Sequence, residues 1–198
     1  MFSTKEFLKK RTGKNKVERY DFLKLLVEEF NTTQSLEAKR QVLANLANFA
    51  YDPINYEFLR NLSVIDLFLQ QLDNEDDSIV EYAVAGLCNI CLDFINKDHI
   101  IDSPGGIQAI IDCLSSRNEE TIISCITILI FLITPKSKNR IITPSTVEYM
   151  VAFSHNPNKR IQNLAKIFLT DYCSEQEIKE ANTRVNDLRI SGLPKNLT

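Results

Sequence analysis

LANLANF, residues 43–49, is the stretch that decides the fold, because it can be laid over VAGLCNI at 84–90 and ITILIFL at 126–132. The three stretches share a central leucine at offsets of 41 and 42 residues: Leu46, Leu87 and Leu129. A sequence period of this size is typical of helical solenoids. Each repeat of a solenoid buries its apolar face only against its neighbours, so the stacked repeats share one core and present one long surface. The period therefore predicts a repeat protein that binds other molecules.

Breaks between the apolar runs outline the helices. An apolar stripe predicts a first helix that ends at residues 31–33, and its members are Phe22, Leu25, Leu26 and Phe30. A long helix follows over residues 36–51 and stops at Asp52-Pro53. Two short helices, separated by Ser63, then precede a second long helix that Ser78 can cap. Each repeat is thus predicted to hold two shorter helices and one longer helix.

The same order continues towards the C-terminus. The sequence predicts a third repeat that ends in a long helix over 120–133, and a fourth long helix over 159–172. Pro144 suits the first position of a helix over 145–153. Ser174-Glu175-Gln176-Glu177 has the pattern of a capping box, which predicts one more helix to about Asn186. We expect this last helix to cap the stack.

The helix order and the sequence of the long helices resemble the armadillo repeat, whose signature is carried by residues 43–49 and 84–90. More closely, QVLANLANFAYDPINY at 41–56 resembles the armadillo repeat-containing protein 7 family, as do short strings at 86–89, 113–116 and 163–165. The resemblance implies an all-α fold, a right-handed α-solenoid of about three to four armadillo repeats with a C-terminal capping helix. We divide the chain accordingly into a basic arm expected to be disordered (1–16), the solenoid (17–186) and a C-terminal tail (187–198).

The resemblance also implies a binding groove. In armadillo arrays an asparagine of each third helix faces the concave groove and hydrogen-bonds the backbone of a partner, a role that falls here to Asn48 and Asn89. An asparagine amide both donates and accepts, so it suits a peptide group. The alternative, that each amide bonds a neighbouring carbonyl or stays in solvent, remains open. Residues one or two turns earlier on the same stripe would line the groove: Arg40, Gln41, Ala44, Glu81, Tyr82 and Ala85.

Phe131 occupies the asparagine position of the third repeat. This departure predicts a short asparagine ladder with an apolar patch or a packed face beyond it. The chain also has no Trp, whereas importin-type armadillo proteins pair the asparagine with a tryptophan to hold lysine stems. Recognition of nuclear signals by this groove is therefore not expected.

A metal-binding or redox function of the cysteines is the alternative interpretation of the same helices. Cys88-x-x-Cys91 could be half a zinc site or a redox pair. It lies at the end of a long helix, however, and the sequence contains no second pair of this kind. The two histidines, His99 and His155, stand far apart from each other. No phosphate-binding glycine loop or nucleophile elbow is present. We expect no catalytic residue, no metal site and no cofactor.

Charge divides the chain into two parts. Residues 1–19 hold seven basic and two acidic residues, a balance of +5, so the rest of the chain carries −8 of the net −3. The arm could neutralise RNA phosphates, serve as an import signal or simply remain solvated. The acidic body argues against autonomous nucleic-acid binding, which usually shows a basic face.

These features predict a non-catalytic scaffold that binds a protein partner. The longest uninterrupted apolar stretch, 128–133, is too short to span a membrane, and the N-terminus is polar, so no membrane or small-molecule partner is expected. The family resemblance implies a place in the minor spliceosome and in pre-mRNA splicing, a partner with an RRM, and a nuclear location with a cytoplasmic pool. RNA contact would then be indirect or made by the arm. A direct RNA-binding module and an adaptor for an unrelated peptide are the alternatives.

Overall fold

The structure, a computed structural model, describes residues 18–190, and every regular element in that range is a helix. The predicted basic arm at 1–16 and the tail from residue 191 lie outside the described residues. Contacts divide the chain into two compact units, residues 1–102 and 103–198, and each is described by itself. The division into one solenoid between an arm and a tail stays a prediction.

The first unit contains six α-helices among its described residues, with a 3₁₀ turn at Pro53–Asn55 before the third. They are α1 (Arg19–Thr32), α2 (Leu36–Ala50), α3 (Tyr56–Asn61), α4 (Val64–Gln70), α5 (Asp77–Ile90) and α6 (Phe94–Asp102). Helices α2 and α5 are the long helices expected from the repeat, and they pack directly against each other.

The second unit also contains six described α-helices, with a 3₁₀ turn at Cys113–Ser115. They are α7 (Gly106–Asp112), α8 (Glu119–Leu132), α9 (Lys138–Ile141), α10 (Pro144–Phe153), α11 (Lys159–Tyr172) and α12 (Glu175–Ile190). Here the long helices α8 and α11 pack together, and α12 packs on α10. Helix α12 extends four residues beyond the predicted end.

The long helices of the four repeats, α2, α5, α8 and α11, all begin at a side-chain cap. The caps recur at intervals of 41, 42 and 40 residues: Ser35, Asp76, Asn118 and Asn158. A capping oxygen satisfies backbone N–H groups that have no partner within the helix. The prediction that Ser78 caps α5 is wrong, because Ser78 is the second residue of that helix and Asp76 accepts from the N–H of Ile79. Thr143 caps α10 ahead of Pro144, and the predicted capping box of Ser174 and Glu177 forms at α12.

The turn between the two shorter helices of a repeat requires a left-handed residue. Ser63 has φ 53° between α3 and α4, and Gly105 has φ 75° immediately before α7. Glycine reaches this conformation without steric cost, whereas serine does so against its Cβ. The break predicted at Ser63 is thus a sharp corner in the backbone.

The leucines that define the sequence period form the centre of the cores. Leu46, Leu87 and Leu129 are completely buried, as the period predicts. The stripe predicted for α1 is only partly correct, because Leu23 is fully buried while Phe22 and Leu25 are 43% and 55% exposed. The buried face of α1 therefore lies about one residue away from the predicted one.

Gly86 permits the closest approach in the first core. A Cβ at this position would lie 2.5 Å from Cε2 and 2.8 Å from Cε1 of Phe68, and closer still to its Cζ. The Phe68 ring is fully buried, so it has little room to move. Gly86 is required because α5 lies directly on this ring.

We predict that Gly86→Ala destabilises the protein by about 1–3 kcal/mol, the usual cost of overpacking a core. Helix propensity alone predicts the opposite sign, since alanine is favoured over glycine by about 1 kcal/mol inside a helix. Chemical denaturation followed by circular dichroism measures the difference.

Phe68→Leu supplies the matched control for this prediction. The smaller side chain makes room for the new methyl group, so Gly86→Ala should cost less in a Phe68→Leu background than in the wild type. Equal costs in the two backgrounds would show that the ring does not restrict position 86.

Candidate partner-binding surface

One narrow face of α2 and one of α5 remain accessible side by side. On α2 this face includes the accessible residues Glu37, Gln41, Ala44 and Asn48. On α5 it includes the half-buried residues Ser78, Tyr82, Ala85 and Asn89. Both sets have spacings of four, three and four residues, which place their members on one side of a helix. We call these eight residues the unit 1 stripe.

The two asparagines of the stripe differ in their surroundings. Asn48 is exposed, and its side-chain amide bonds no other residue of the described range. Asn89 is half-buried, and its Nδ2 donates to the backbone carbonyl of Ala47 at 3.0 Å. This bond ties the C-terminal part of α5 to α2 and leaves Asn89 with one further donor and its acceptor oxygen. Asn89 thus bonds a neighbouring carbonyl and Asn48 faces solvent, and the binding of a partner's backbone by either amide stays a prediction.

Arg40, predicted to line the groove, is bound within the protein. Its Nε donates to Asp76 Oδ1 at 3.1 Å, and its Nη2 donates to Asp76 Oδ2. Glu37 lies 3.6 Å from the same guanidinium. The hydrogen bond from Arg40 holds the pKa of Asp76 below its usual value, and the same bond raises the pKa of Arg40. Arg40 therefore joins α2 to the cap of α5.

The other predicted groove residues are partly accessible. Gln41 is exposed and lies 3.5 Å from Asn45 through its amide nitrogen, a marginal hydrogen bond. The half-buried members are Ala44, Glu81, Tyr82 and Ala85. Together they form a shallow surface of small and polar groups beside the two asparagines.

Phe131 lies in the second unit, on α8, and is 38% exposed. The corresponding face of α11 exposes Ile167 to 46%. The residue of α11 in register with Phe131 and with the stripe asparagines is Asp171, which is exposed. The face thus pairs one exposed phenylalanine with one exposed carboxylate at the two asparagine positions, and the predicted apolar patch stays a prediction. An ion pair between Arg160 of α11 and Glu120 of α8 lies at the start of the two helices.

Two buried corners that the sequence analysis missed follow α2 and α5. In the first corner, residues 52–55, Asn55 Nδ2 donates to the Phe49 carbonyl at 2.8 Å. In the second corner, residues 93–96, Asn96 Nδ2 donates to the Ile90 carbonyl at 3.0 Å. The strings DPIN and DFIN are separated by 41 residues, so the period itself could have revealed them.

The corners differ in how the asparagine oxygen is satisfied. Arg60 Nη1 donates to Asn96 Oδ1 at 2.7 Å and to Asp93 Oδ1 at 3.1 Å. Asn55 Oδ1 is buried and has no hydrogen-bond partner. The residue in register with Arg60 is Arg19, whose guanidinium carbon lies 4.8 Å from the Phe49 ring centroid. In the first corner the oxygen of Asn55 is thus unpaired, whereas in the second corner the equivalent oxygen of Asn96 accepts from Arg60.

A cleft of about 650 Å³ lies between the two corners and touches the C-terminal end of the unit 1 stripe at Asn89. The 3₁₀ turn, α3 and the end of α5 provide its walls, whose residues are Tyr51, Pro53, Ile54, Tyr56, Glu57, Arg60, Asn89, Leu92 and Asp93. Tyr56 donates from its hydroxyl to the Asn89 carbonyl at 2.9 Å. Tyr51 and Leu92 are 63% and 59% exposed. The cleft therefore offers an open apolar surface next to the stripe.

The cysteine pair has no reactive character. Burial raises the pKa of Cys88 to about 11 and that of Cys91 to about 12, so both are neutral thiols at physiological pH. Across residues 18–190, no group of three or more histidine, cysteine or acidic residues could hold a metal ion. No described helix is long and apolar enough to cross a membrane.

Comparison with known proteins agrees with this arrangement. The family described as Armadillo/beta-catenin-like repeat matches residues 52–92, which run from the first corner to the end of α5. The chain is 46% identical over 170 residues to armadillo repeat-containing protein 7 of Mus musculus, and the match covers 85% of each chain. The chain belongs to the armadillo repeat-containing protein 7 family.

Solved structures support the armadillo fold. A designed armadillo repeat protein in complex with the peptide (KR)4 aligns with a TM-score of 0.69 at 16% identity, covering 88% of this chain and 77% of that chain. Computationally designed armadillo repeat proteins for modular peptide recognition align with a TM-score of 0.70 at the same identity and coverage. The all-α armadillo solenoid class is thereby confirmed. Armadillo proteins are generally non-catalytic interaction scaffolds, and this chain shares their fold.

We predict that Asp76→Ala lowers the free energy of unfolding by about 1 kcal/mol through loss of the cap alone. Asp76→Asn keeps a capping oxygen but removes the charge that faces Arg40, so it should be less damaging at neutral pH. Because the folded pKa of Asp76 lies below its unfolded value, its charge stabilises the fold above about pH 4. That contribution is lost as the pH falls through the lowered folded pKa.

Denaturant titrations of wild type and Asp76→Asn at neutral pH and at about pH 2 test this sign. The difference between them should be present at neutral pH and smaller in acid, since the charge of Asp76 is lost as the pH falls through its lowered folded pKa. Asp73→Asn, at an exposed position of the preceding turn, is the matched control and should show neither effect. A difference that persists unchanged in acid would contradict the role of the carboxylate charge.

Proposed function

We propose that this protein is a non-catalytic scaffold of the minor spliceosome that acts in pre-mRNA splicing by binding an RRM-type RNA-binding protein. The family membership supports the scaffold, and the resemblance to the armadillo repeat-containing protein 7 family motivates the splicing role and the partner. The protein works in the nucleus, with a cytoplasmic pool. RNA contact is indirect or made by the N-terminal arm.

The exposed amide of Asn48 is the observation that carries the binding role. It is the C-terminal member of the stripe on α2, one turn after Ala44, whose small side chain leaves room for a backbone to approach. An extended peptide lying on this stripe could both accept from the Asn48 amide and donate to it. The remaining donor and acceptor of Asn89 would contact the same peptide one repeat further on.

Charge supports a basic partner. Beyond residue 19 the chain carries a net charge of −8. A designed protein of the same fold is known in complex with the basic peptide (KR)4. Opposite charges of this kind raise the association rate more than the affinity. We therefore propose that a basic surface or tail of the RRM protein meets the unit 1 stripe.

The test is purification of the tagged protein from cells at moderate salt, followed by mass spectrometry of the bound proteins. We expect an RRM protein together with splicing factors. Asn48→Ala should weaken the recombinant complex about fivefold, which corresponds to roughly 1 kcal/mol for one hydrogen bond. Asn89→Ala should weaken it too, but its stability must be measured because the bond to Ala47 is also lost.

Asn61→Ala is the matched control, since Asn61 is an exposed asparagine at the end of α3 and lies outside the stripe. It should leave the bound proteins unchanged. Retention of the same partners by Asn48→Ala and Asn89→Ala would move the interface to another face. Recovery of RNA alone would favour direct RNA binding by the arm, and recovery of an unrelated protein would favour a general adaptor.

A further inference from the structure

The exposed apolar surface continues beyond the residues that line the cleft. Directly after Leu92 and Asp93, the first two residues of α6 are also exposed, Phe94 to 71% and Ile95 to 45%. Three large apolar side chains, Leu92, Phe94 and Ile95, thus lie exposed at the second corner, and Tyr51 lies exposed just before the first. Exposed apolar side chains that lie close together can form an interaction surface.

Two carboxylates lie at this patch. Glu57 is exposed on the wall of the cleft, and Asp93 lies on its rim. The basic residue of the lining, Arg60, already donates to Asp93 and Asn96. Its charge is therefore engaged within the protein, and Glu57 contributes an uncompensated negative charge. A ligand for the cleft should combine bulky apolar groups with positive charge.

The N-terminal arm has this composition. Residues 7–11 read FLKKR, two large apolar side chains followed by three basic ones. The net charge of +5 over residues 1–19 continues the same chemistry.

The described chain begins next to the cleft. The Tyr20 ring packs edge-on against Phe58 of α3 with centroids 6.0 Å apart, and Arg19 lies over Phe49. Phe49 is two residues before Tyr51, hence within about 7.6 Å of it along the backbone. About ten residues separate Phe7 and Leu8 from Glu18, and an extended chain of that length spans roughly 35 Å. The arm can therefore reach the cleft with length to spare.

We propose that the arm of the same chain binds the cleft, with Phe7 and Leu8 against the Leu92 and Phe94 surface and the basic residues 9–11 against Glu57 and the corner carboxylates. Tethering raises the effective concentration of the arm to the millimolar range, so weak contacts suffice. This inference does not depend on the identity of the splicing partner.

Carbodiimide crosslinking of the full-length chain tests the proposal, because this reagent joins a lysine amine to a carboxylate that it touches. Peptide mapping should show Lys9 or Lys10 joined to Glu57, Asp52 or Asp93. The crosslinks should be lost in 1 M salt, where charges are screened beyond about 3 Å. A mixture of ¹⁵N-labelled and unlabelled protein separates the outcomes: crosslinks within one isotope support the proposal, and mixed crosslinks would overturn it by placing the arm on a second copy.

Leu92→Glu should abolish these crosslinks, because it puts a charge into the apolar contact. Leu36→Glu is the matched control, since Leu36 is a 46% exposed leucine of the same unit at the opposite end of α2, about 21 Å from Ala50. It should leave the crosslinks intact. Equal crosslinking in both variants, or crosslinks from the arm spread over carboxylates outside the cleft, would overturn the proposal.

A tryptophan reporter covers the case in which Leu92→Glu fails to fold. The chain has no Trp, so Tyr51→Trp introduces a single fluorophore on the cleft wall by an aromatic exchange. Its emission should shift to longer wavelength when Lys9, Lys10 and Arg11 are changed to Glu, and Glu57→Lys in that background should restore the original emission. No shift on charge reversal would contradict binding of the arm at the cleft.

Discussion

The packing of one long helix against the next is the interaction on which each unit depends. In the first unit, Leu46 of α2 and Leu87 of α5 are fully buried, and the shorter helices α3 and α4 add Leu59, Val64 and Phe68 to the same core. Helices of six or seven residues are far too short to be stable alone. They persist because the long helices supply the surface that they cover.

The polar contacts between α2 and α5 show how that packing shapes the binding surface. Arg40 and Asp76 join the helices near their N-terminal ends, and Ala47 and Asn89 join them near their C-terminal ends. With both ends fixed, the two helices run in parallel. Asn48 is then presented to solvent on a rigid support, which reduces the conformational entropy that a peptide complex must lose.

Sequence periodicity predicted the helix order and the buried leucines, because both follow from burial at a fixed spacing. It failed where tertiary contacts choose between similar side chains. Asp76 rather than Ser78 caps α5, and the pairing of Arg40 with Asp76 has no signal in the local sequence. The cleft depends on which apolar residues around the corners stay uncovered, and no local pattern encodes that.

Two of the capping residues also bind the preceding long helix of their unit. Asp76 begins α5 yet is held by Arg40 of the preceding long helix, and Asn158 begins α11 while its Nδ2 donates to Glu119 of α8 at 2.7 Å. The start of each of these helices is therefore recognised by its predecessor. A repeat that loses its neighbour keeps the cap itself but loses the contact that holds the capping side chain to the preceding helix. Such a chain gains part of its cooperativity at the helix ends as well as in the core.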